Sequence, residues 1–545
     1  MLILLITAIA VLAGCAAAQR MYRQQGMHEK LRCVFRTVII TDASAFTVIF
    51  FSRFFGGTGH FWHTGGYTAR ETFFAVAAAA ACCAASIVVQ TLIRRHNVYD
   101  CSARRKVYTI LKAVGVCLFA VGTAIGAAAY FVHTQWSQVR PEQLVINMLS
   151  PTVGTEIGIY LTGFEFVLLT VGAVCVIAVF CFARFHLGEK KREKIVTLLA
   201  ERGKSVIVLA LAICVCAFSA WYAEHALQIS MLYRAFFVQS GFIEDNYVDP
   251  KEVRITFPEK KRNVIYFYLE SIENTYLSRE LGGAGYADTN LMPDLSALAQ
   301  EGVVFSDTAG KFGGPMQITG TSWSMASMVN QNLGVPMKSP KSSAAFSDVN
   351  RFMSGTYGLG DLLRDNGYVQ ELMIGSDARF GALDGLYTTH GQFKIFDYEY
   401  ARNNGFIPQD YHVWWGFEDD KLYDFAKQEI TALYKSGKPF NFTMENADTH
   451  MPDGYLPRGA AQPYDSPYAN AIAYSSAKVT EFIRWIQAQP FYDDTTVVLI
   501  GDHLSMDTAF FELIDRNYRR TQFNLILNSA DTLQNVDASR FRNRQ

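Results

Sequence analysis

The chain has 545 residues, half of them hydrophobic, and a formal net charge of −1 at neutral pH. Its length predicts more than one domain, and its balanced charge gives no electrostatic case for nucleic acid. The averages hide two halves. Residues 1–222 carry long apolar runs and all ten cysteines, from Cys15 to Cys216, while 263–545 have the mixed composition of a globular domain. A cysteine-free second half holds no disulfide, no thiolate metal site and no cysteine-derived nucleophile.

Six apolar runs, at roughly 1–19, 34–55, 72–93, 107–133, 160–183 and 205–224, are long enough, or nearly so, to cross a bilayer, which needs about 20 residues. One such run could be a buried core helix. Six in succession predict an all-α, multi-span membrane domain over 1–224. Asp42 and Glu165 fall inside two of the runs, either as functional groups or as polar contacts between helices. Leu12-Ala13-Gly14-Cys15 has the look of a lipoprotein cleavage box, but no basic residue precedes it, so the first run reads as a membrane helix. Lys and Arg concentrate after the first run (Arg20, Arg23, Lys30, Arg32, Arg36), the third (Arg94, Arg95, Arg104, Arg105, Lys106) and the fifth (Arg184, Lys190, Lys191, Arg192, Lys194). The positive-inside rule puts those loops in the cytoplasm and everything after the sixth run outside. The 134–159 loop, with Leu144, Val145, Ile146 and Leu149, reads either as a surface-lying amphipathic segment or as an ordinary connection.

A juxtamembrane linker, 225–262, contains the apolar patch Met231-Leu232-Tyr233-Arg234-Ala235-Phe236-Phe237 and is expected to rest on the membrane. Beyond it the pattern changes. Asn263–Leu269 is an apolar run of strand length ending in Glu270-Ser271. Leu295–Glu301 reads as a helix and Val303–Phe305 as a strand. A Gly-rich stretch, 310–315, leads into Gly320-Thr321-Ser322 and a helix. Gly360–Asn366 is helical, and Val369–Ile374 is a strand that runs into Ser376-Asp377-Ala378-Arg379. A helix over Lys421–Ser436 precedes the strand Phe440–Met444 and then Asp448-Thr449-His450. The long helix Ala471–Gln487 precedes the strand Thr496–Ile500 and Gly501-Asp502-His503, and Phe523–Leu527 is a last strand. Fully apolar strands alternating with helices imply an α/β domain over 263–545 with a mostly parallel sheet covered on both faces.

In such sheets ligands bind beyond the carboxyl ends of the strands. Glu270, Asp377, His450, Asp502 and His503 all lie just past strand ends, so the topology should gather them on one rim. Oxygen and imidazole donors together suit Mn²⁺, Zn²⁺ or Mg²⁺. Thr321, at a helix start after glycines, is either a capping hydroxyl or a nucleophile set where backbone N–H groups favour a phosphate.

The series Asn263-Val264-Ile265-Tyr266 to Glu270-Ser271, then Gly320-Thr321-Ser322, Asp448-Thr449-His450 and Gly501-Asp502-His503-Leu504-Ser505-Met506, resembles the lipoteichoic acid synthases and phosphoglycerol transferases. These are membrane-anchored, sulfatase-like members of the alkaline phosphatase superfamily. The likeness covers about 230–530. Trp415-Gly416-Phe417 and Pro452-Asp453-Gly454 look most like the branch that decorates periplasmic glucans. The resemblance implies a bacterial inner-membrane enzyme with an extracytoplasmic catalytic domain. It would move phosphoglycerol from phosphatidylglycerol, through a covalent threonine intermediate, to a surface or periplasmic glycan or teichoic polymer. It assigns Thr321 as nucleophile, and Glu270, Thr321, Asp502 and His503 as ligands of one divalent ion, commonly Mn²⁺. His450, Arg379 and Asp377 would stand at the donor headgroup. The alternatives are a phosphoethanolamine transferase acting on lipopolysaccharide or glycan, and a phosphodiesterase-type hydrolase. The true sulfatases need Cys or Ser in a Cys-x-Pro-x-Arg setting, which nothing around Thr321 provides. Family members usually continue further past the last strand than Gln545, which predicts a fragment or a shortened C-terminal end.

Overall fold

The structure is a computed structural model. It describes residues 2–21, scattered positions within 27–87, 102–135, residue 145, 157–182, 190–238 and 241–529, except 287, 309, 338–350, 513 and 516. The chain divides into two compact units, Met1–Gln135 with Ile157–Leu227, and Trp136–Glu156 with Gln228–Gln545.

The first unit is helical, with α1 (Leu2–Met21), α2 (Ser102–Gln135), α3 (Ile157–Phe182) and α4 (Lys190–Leu227). Helices α2 and α4 run parallel in close contact because small residues line their seam. A Cβ at Gly126 would meet Ser219 Oγ at 2.6 Å, and one at Gly122 would meet Cys216 Sγ at 2.9 Å. Among the described residues two helices are long and apolar enough to cross a membrane, Val107–Thr134 and Arg202–Leu227. Ile9–Arg20 and Thr162–Ala178 are shorter apolar helices. The expected spans at 34–55 and 72–93, with Asp42, and the 134–159 loop lie almost wholly outside the described residues. The structure therefore supports two of the six expected crossings. Glu165 is buried in α3.

The second unit opens with α5 (Ser230–Phe237), whose Tyr233 and Phe237 stack on one another and are exposed. A six-stranded sheet follows, built from β1 (Asn263–Leu269), β2 (Val369–Ile374), β3 (Lys394–Phe396), β4 (Phe440–Glu445), β5 (Thr495–Gly501) and β6 (Asn524–Leu527). Its order is β3-β2-β4-β1-β5-β6. All neighbours are parallel except β5 and β6. The connecting helices are α6 (Pro293–Leu298), α7 (Ser324–Leu333), α8 (Leu359–Asp365), α9 (Asp419–Lys435) and α10 (Pro467–Gln487).

Side chains alternate across a strand, and β1 shows it. Ile265, Phe267 and Leu269 join one buried cluster with α6, α9 and α10, while Tyr268 joins the other with α7 and β2. The apolar stripe Leu422, Phe425, Ala426, Ile430, Leu433 gives α9 its buried face. Ser466 caps α10 by accepting a hydrogen bond from Ala469 N at 3.2 Å. Two elements differ from the sequence expectation. Residues 303–305 form no strand: Val303 makes a single bridge to Ile526, and then the Asn524 side chain takes the Phe305 N–H at 2.7 Å in place of a ladder partner. The short strand β3 has too little apolar pattern, Lys394-Ile395-Phe396, to be read ahead.

Candidate metal centre and active site

The central strands fix the geometry. Strand β1 lies between β4 and β5, with Leu269 paired to Gly501, so Glu270 and Asp502 leave the sheet side by side. Glycine is required at 501, because a Cβ there would meet Ile272 O at 1.9 Å. Glu270, Asp502 and His503 are buried, and one ligand atom from each lies within 4.8 Å of the others.

Hydrogen bonds orient all three. Asp502 Oδ1 accepts from Ser271 N at 2.8 Å and from His503 N at 2.7 Å. Asp502 Oδ2 has no hydrogen-bond partner among the described residues. His503 Nδ1 faces only the Leu504 carbonyl, at 2.9 Å, so Nδ1 carries the proton. Nε2 then points at Asp502 Oδ2, 3.2 Å away, and at Glu270 Oε1, 3.6 Å away. An imidazole nitrogen and two carboxylates gathered in a buried space suit a cation between them. The charges record the same tension. Burial, with Glu270 adding, pushes the Asp502 carboxyl well above the usual carboxylate range. Burial works against charge on His503, but Asp502 and Glu270 outweigh it and raise its pKa. The donor set, the orphaned Asp502 oxygen and the Nε2 orientation fit a divalent ion.

The Ser271 hydroxyl donates to Glu270 Oε1 at 2.5 Å, and a second hydroxyl that reaches the cluster is that of Ser324. Its Oγ donates to Glu270 Oε2 at 3.1 Å and stands 3.5 Å from His503 Nε2. Thr321, expected to share the ion, is engaged elsewhere. Its buried Oγ1 donates to Ile318 O at 2.9 Å and accepts from Ile318 N at 3.1 Å, closing a turn. The physical reason is where the helix starts. Gly320 takes φ +80°, a turn follows, and α7 begins only at Ser324, three residues later than the sequence suggested. The residue before α7, Trp323, supplies no side-chain cap, so the first N–H groups of α7 are free of a capping oxygen beside the Ser324 hydroxyl.

A further carboxyl was not anticipated. Glu445, the last residue of β4, is buried, and its Oε1 has no hydrogen-bond partner among the described residues. Burial, then Asp502 and Glu270, push its pKa well up. An acid at the end of an apolar strand was the available signal, the same one that singled out Glu270.

His450 holds Nδ1 against the Met451 carbonyl at 2.6 Å, and its Nε2 has no hydrogen-bond partner among the described residues. The residue before it, Thr449, donates to the Glu270 carbonyl at 2.5 Å, which ties this segment to the cluster. Trp415 packs edge-on against the His450 ring at 4.6 Å, and Phe380 packs on Trp415 at 5.4 Å. On the β2 side, Asp377 grips Arg379 through Nε at 2.9 Å and NH2 at 2.5 Å, while the guanidinium stays half exposed. Burial opposes the Asp377 charge, but Arg379 more than offsets it and holds the carboxyl below its usual range. The contacts thus set Asp377 under Arg379.

Residues 262–535 match the sulfatase family. Phosphoglycerol transferase I of Salmonella choleraesuis (strain SC-B67) is 33% identical over 279 residues, which cover 50% of this chain and 35% of that protein. The chain thus spans about a third of the length of the curated relatives it matches. Among solved structures, an alkaline phosphatase superfamily protein from Vibrio parahaemolyticus has 23% identity and a TM-score of 0.39, covering 50% of this chain and 61% of that one. A lipoteichoic acid synthase from Listeria monocytogenes has 20% identity and a TM-score of 0.39, covering 52% and 70%. The family match takes in all six strands and every residue of the cluster, and the chain belongs to the sulfatase family.

Proposed function

We propose that the chain is a membrane-anchored phosphotransferase that moves phosphoglycerol from phosphatidylglycerol to a hydroxyl of a cell-surface or periplasmic glycan or teichoic polymer. The observation that carries this reading is the Ser324 hydroxyl at the start of α7, 3.1 Å from Glu270 Oε2 and 3.5 Å from His503 Nε2. The name of the Salmonella relative, a phosphoglycerol transferase, supports the transferred group. Ser324-Met325-Ala326-Ser327-Met328 has neither the proline nor the arginine of a formylglycine setting, which favours phosphoryl over sulfuryl chemistry.

In this reading Glu270, Ser324, Asp502 and His503 hold one divalent ion, most simply Mn²⁺, with Zn²⁺ or Mg²⁺ also compatible with the donors. Bound there, the ion lowers the pKa of the Ser324 hydroxyl and offsets charge on the phosphoryl oxygens. Ser324 loses its proton as its oxygen bonds to phosphorus. The bond from phosphorus to the diacylglycerol oxygen breaks, and that oxygen takes up a proton. The open N–H groups of α7 and the guanidinium of Arg379 stabilise the phosphoryl oxygens. An acceptor hydroxyl then attacks the phosphoserine, gives up its proton and regenerates Ser324. His450 Nε2 positions the headgroup and serves as the proton donor or acceptor at the entering and leaving oxygens. The two membrane-length helices and the basic loops support an extracytoplasmic catalytic unit at a bacterial inner membrane, where the donor lipid resides.

The test is to incubate the full-length protein with phosphatidylglycerol labelled in its headgroup and, separately, phosphatidylethanolamine. A labelled Ser324 peptide from the first lipid is the expected product. Label on Thr321, or none on the protein, overturns the assignment, and label from phosphatidylethanolamine alone replaces the donor.

A further inference from the structure

We propose that Asn446 is a positioning residue: it sets the Glu270 carboxylate for the ion and ties that ligand to the segment carrying His450. The inference rests on the reading of Glu270, Asp502 and His503 as a metal site.

Glu270 stands at the end of β1, where the sheet stops constraining the chain. Two side chains from the segment after β4 take over. Asn446 Oδ1 accepts the Glu270 N–H at 3.1 Å, and Thr449 Oγ1 donates to the Glu270 carbonyl at 2.5 Å. Both residues are fully buried. The peptide groups on either side of the Glu270 Cα are thereby fixed, and with them the direction of its side chain.

Asn446 is in turn held from behind. Its Nδ2 donates to Asp419 Oδ2 at 3.1 Å, on α9, and to Ser475 Oγ at 3.2 Å, on α10. Only an amide can accept toward Glu270 and donate twice toward the helices. Aspartate would keep the acceptor but set a second carboxylate against Asp419. Alanine would leave the buried Glu270 N–H without its acceptor. Asp419 also accepts from Ala447 N at 2.8 Å and Asp448 N at 3.1 Å, and Trp414 Nε1 donates to Ala447 O at 3.3 Å. The run 446–450 is therefore one braced unit. One end steers a metal ligand, and the other presents His450 beside Trp415. A shift at Asn446 moves both.

The experiment titrates Mn²⁺ alone into the purified full-length protein by calorimetry, and follows amide hydrogen exchange across 446–450 with and without Mn²⁺. The variants are Asn446→Asp, Thr449→Val and Thr449→Ser. Loss of an outer partner to a metal ligand typically weakens binding about 10–100-fold, and that rise in Kd is expected for Asn446→Asp and Thr449→Val. Thr449→Ser, which keeps the hydroxyl, should restore the affinity lost in Thr449→Val. In the unmodified protein Mn²⁺ should slow exchange at 446–450, and Asn446→Asp should lose that protection. If either variant that folds binds Mn²⁺ with unchanged Kd while its Tm falls, the contact is only structural and the proposal is overturned. If the unmodified protein binds no Mn²⁺, the reading of the site itself fails, and the inference falls with it.

Discussion

Ser324 and Thr321 sit three residues apart and face different partners. Ser324 Oγ bonds to Glu270 Oε2, whereas Thr321 Oγ1 both donates to and accepts from the Ile318 backbone. In the proposed reading Ser324 carries the chemistry and Thr321 holds the turn, so exchanging each in turn should give opposite outcomes. Ser324→Ala should lower turnover of phosphatidylglycerol by about 10³-fold or more and abolish the covalent adduct, with little change in Tm. Thr321→Val should leave adduct formation in place but lower stability by about 0.5–1.5 kcal/mol, since the Ile318 N–H loses its side-chain acceptor. Labelled-lipid turnover beside thermal melts distinguishes them.

Arg379 should act on the donor. Its guanidinium is aimed by Asp377 through two nitrogens, a geometry lysine cannot copy. Arg379→Lys is expected to cost about tenfold in kcat/KM for the lipid, and Asp377→Asn a similar factor through loss of aim. Steady-state kinetics with varied phosphatidylglycerol reads both, and wild-type kinetics from either variant would remove Arg379 from the phosphate.

The buried acids predict a stability that falls with rising pH once the ion is chelated. Burial pushes Asp419 up to about 6, and burial with Asp419 beside it pushes Asp448 up to about 10. A carboxyl with a raised folded-state pKa holds a proton that the unfolded chain releases. Its stabilising share is therefore present at low pH and lost as pH climbs toward the folded value. Glu270, Asp361 and Asp377, whose pKa values are lowered, act oppositely, and their share is lost only in acid, below the ordinary carboxylate range. Melts in chelator should peak near pH 5 and decline to pH 8, by about 1.4 kcal/mol per pH unit for each retained proton. Asp448→Asn should flatten that decline. A flat profile in the unmodified protein would contradict it.

Gly501→Ala should disable the site by moving its backbone. The added Cβ collides with Ile272 O, so β1 and β5 must separate just where Glu270 and Asp502 emerge. Overpacking of this kind costs about 1–3 kcal/mol or more. The expected result is a lower Tm together with weakened Mn²⁺ binding in the same titration.

Much of the catalytic unit was legible because its central strands are buried on both faces and so carry unbroken apolar runs. Ile265, Phe267, Phe442 and Leu499 announce strands, and the residues after them announce a rim. The order of those strands around β1 is not written locally. It follows from which faces pack on α9 and α10, and so does the pairing that sets Glu270 beside Asp502. The late start of α7 escaped notice because a Gly-Thr pair after glycines looks like a helix start. Whether a turn intervenes depends on Gly320 reaching its left-handed conformation against Met337 O, 337 being far along the chain. Glu445 was passed over because its strand was read one residue short. Residues 303–305 looked like a strand because a β-branched pair in isolation cannot report that, past the Val303 bridge, the Phe305 N–H goes to the Asn524 side chain.

His450 and His503 share a detail: each ring has Nδ1 fastened to the carbonyl of the residue that follows it. Neither imidazole can then flip its tautomer without breaking that tether, so neither can pass a hydrogen ion in at one nitrogen and out at the other. Each works from a single end, returning what it takes along the way it came. A wire of relayed protons running through either imidazole ring is thus closed off.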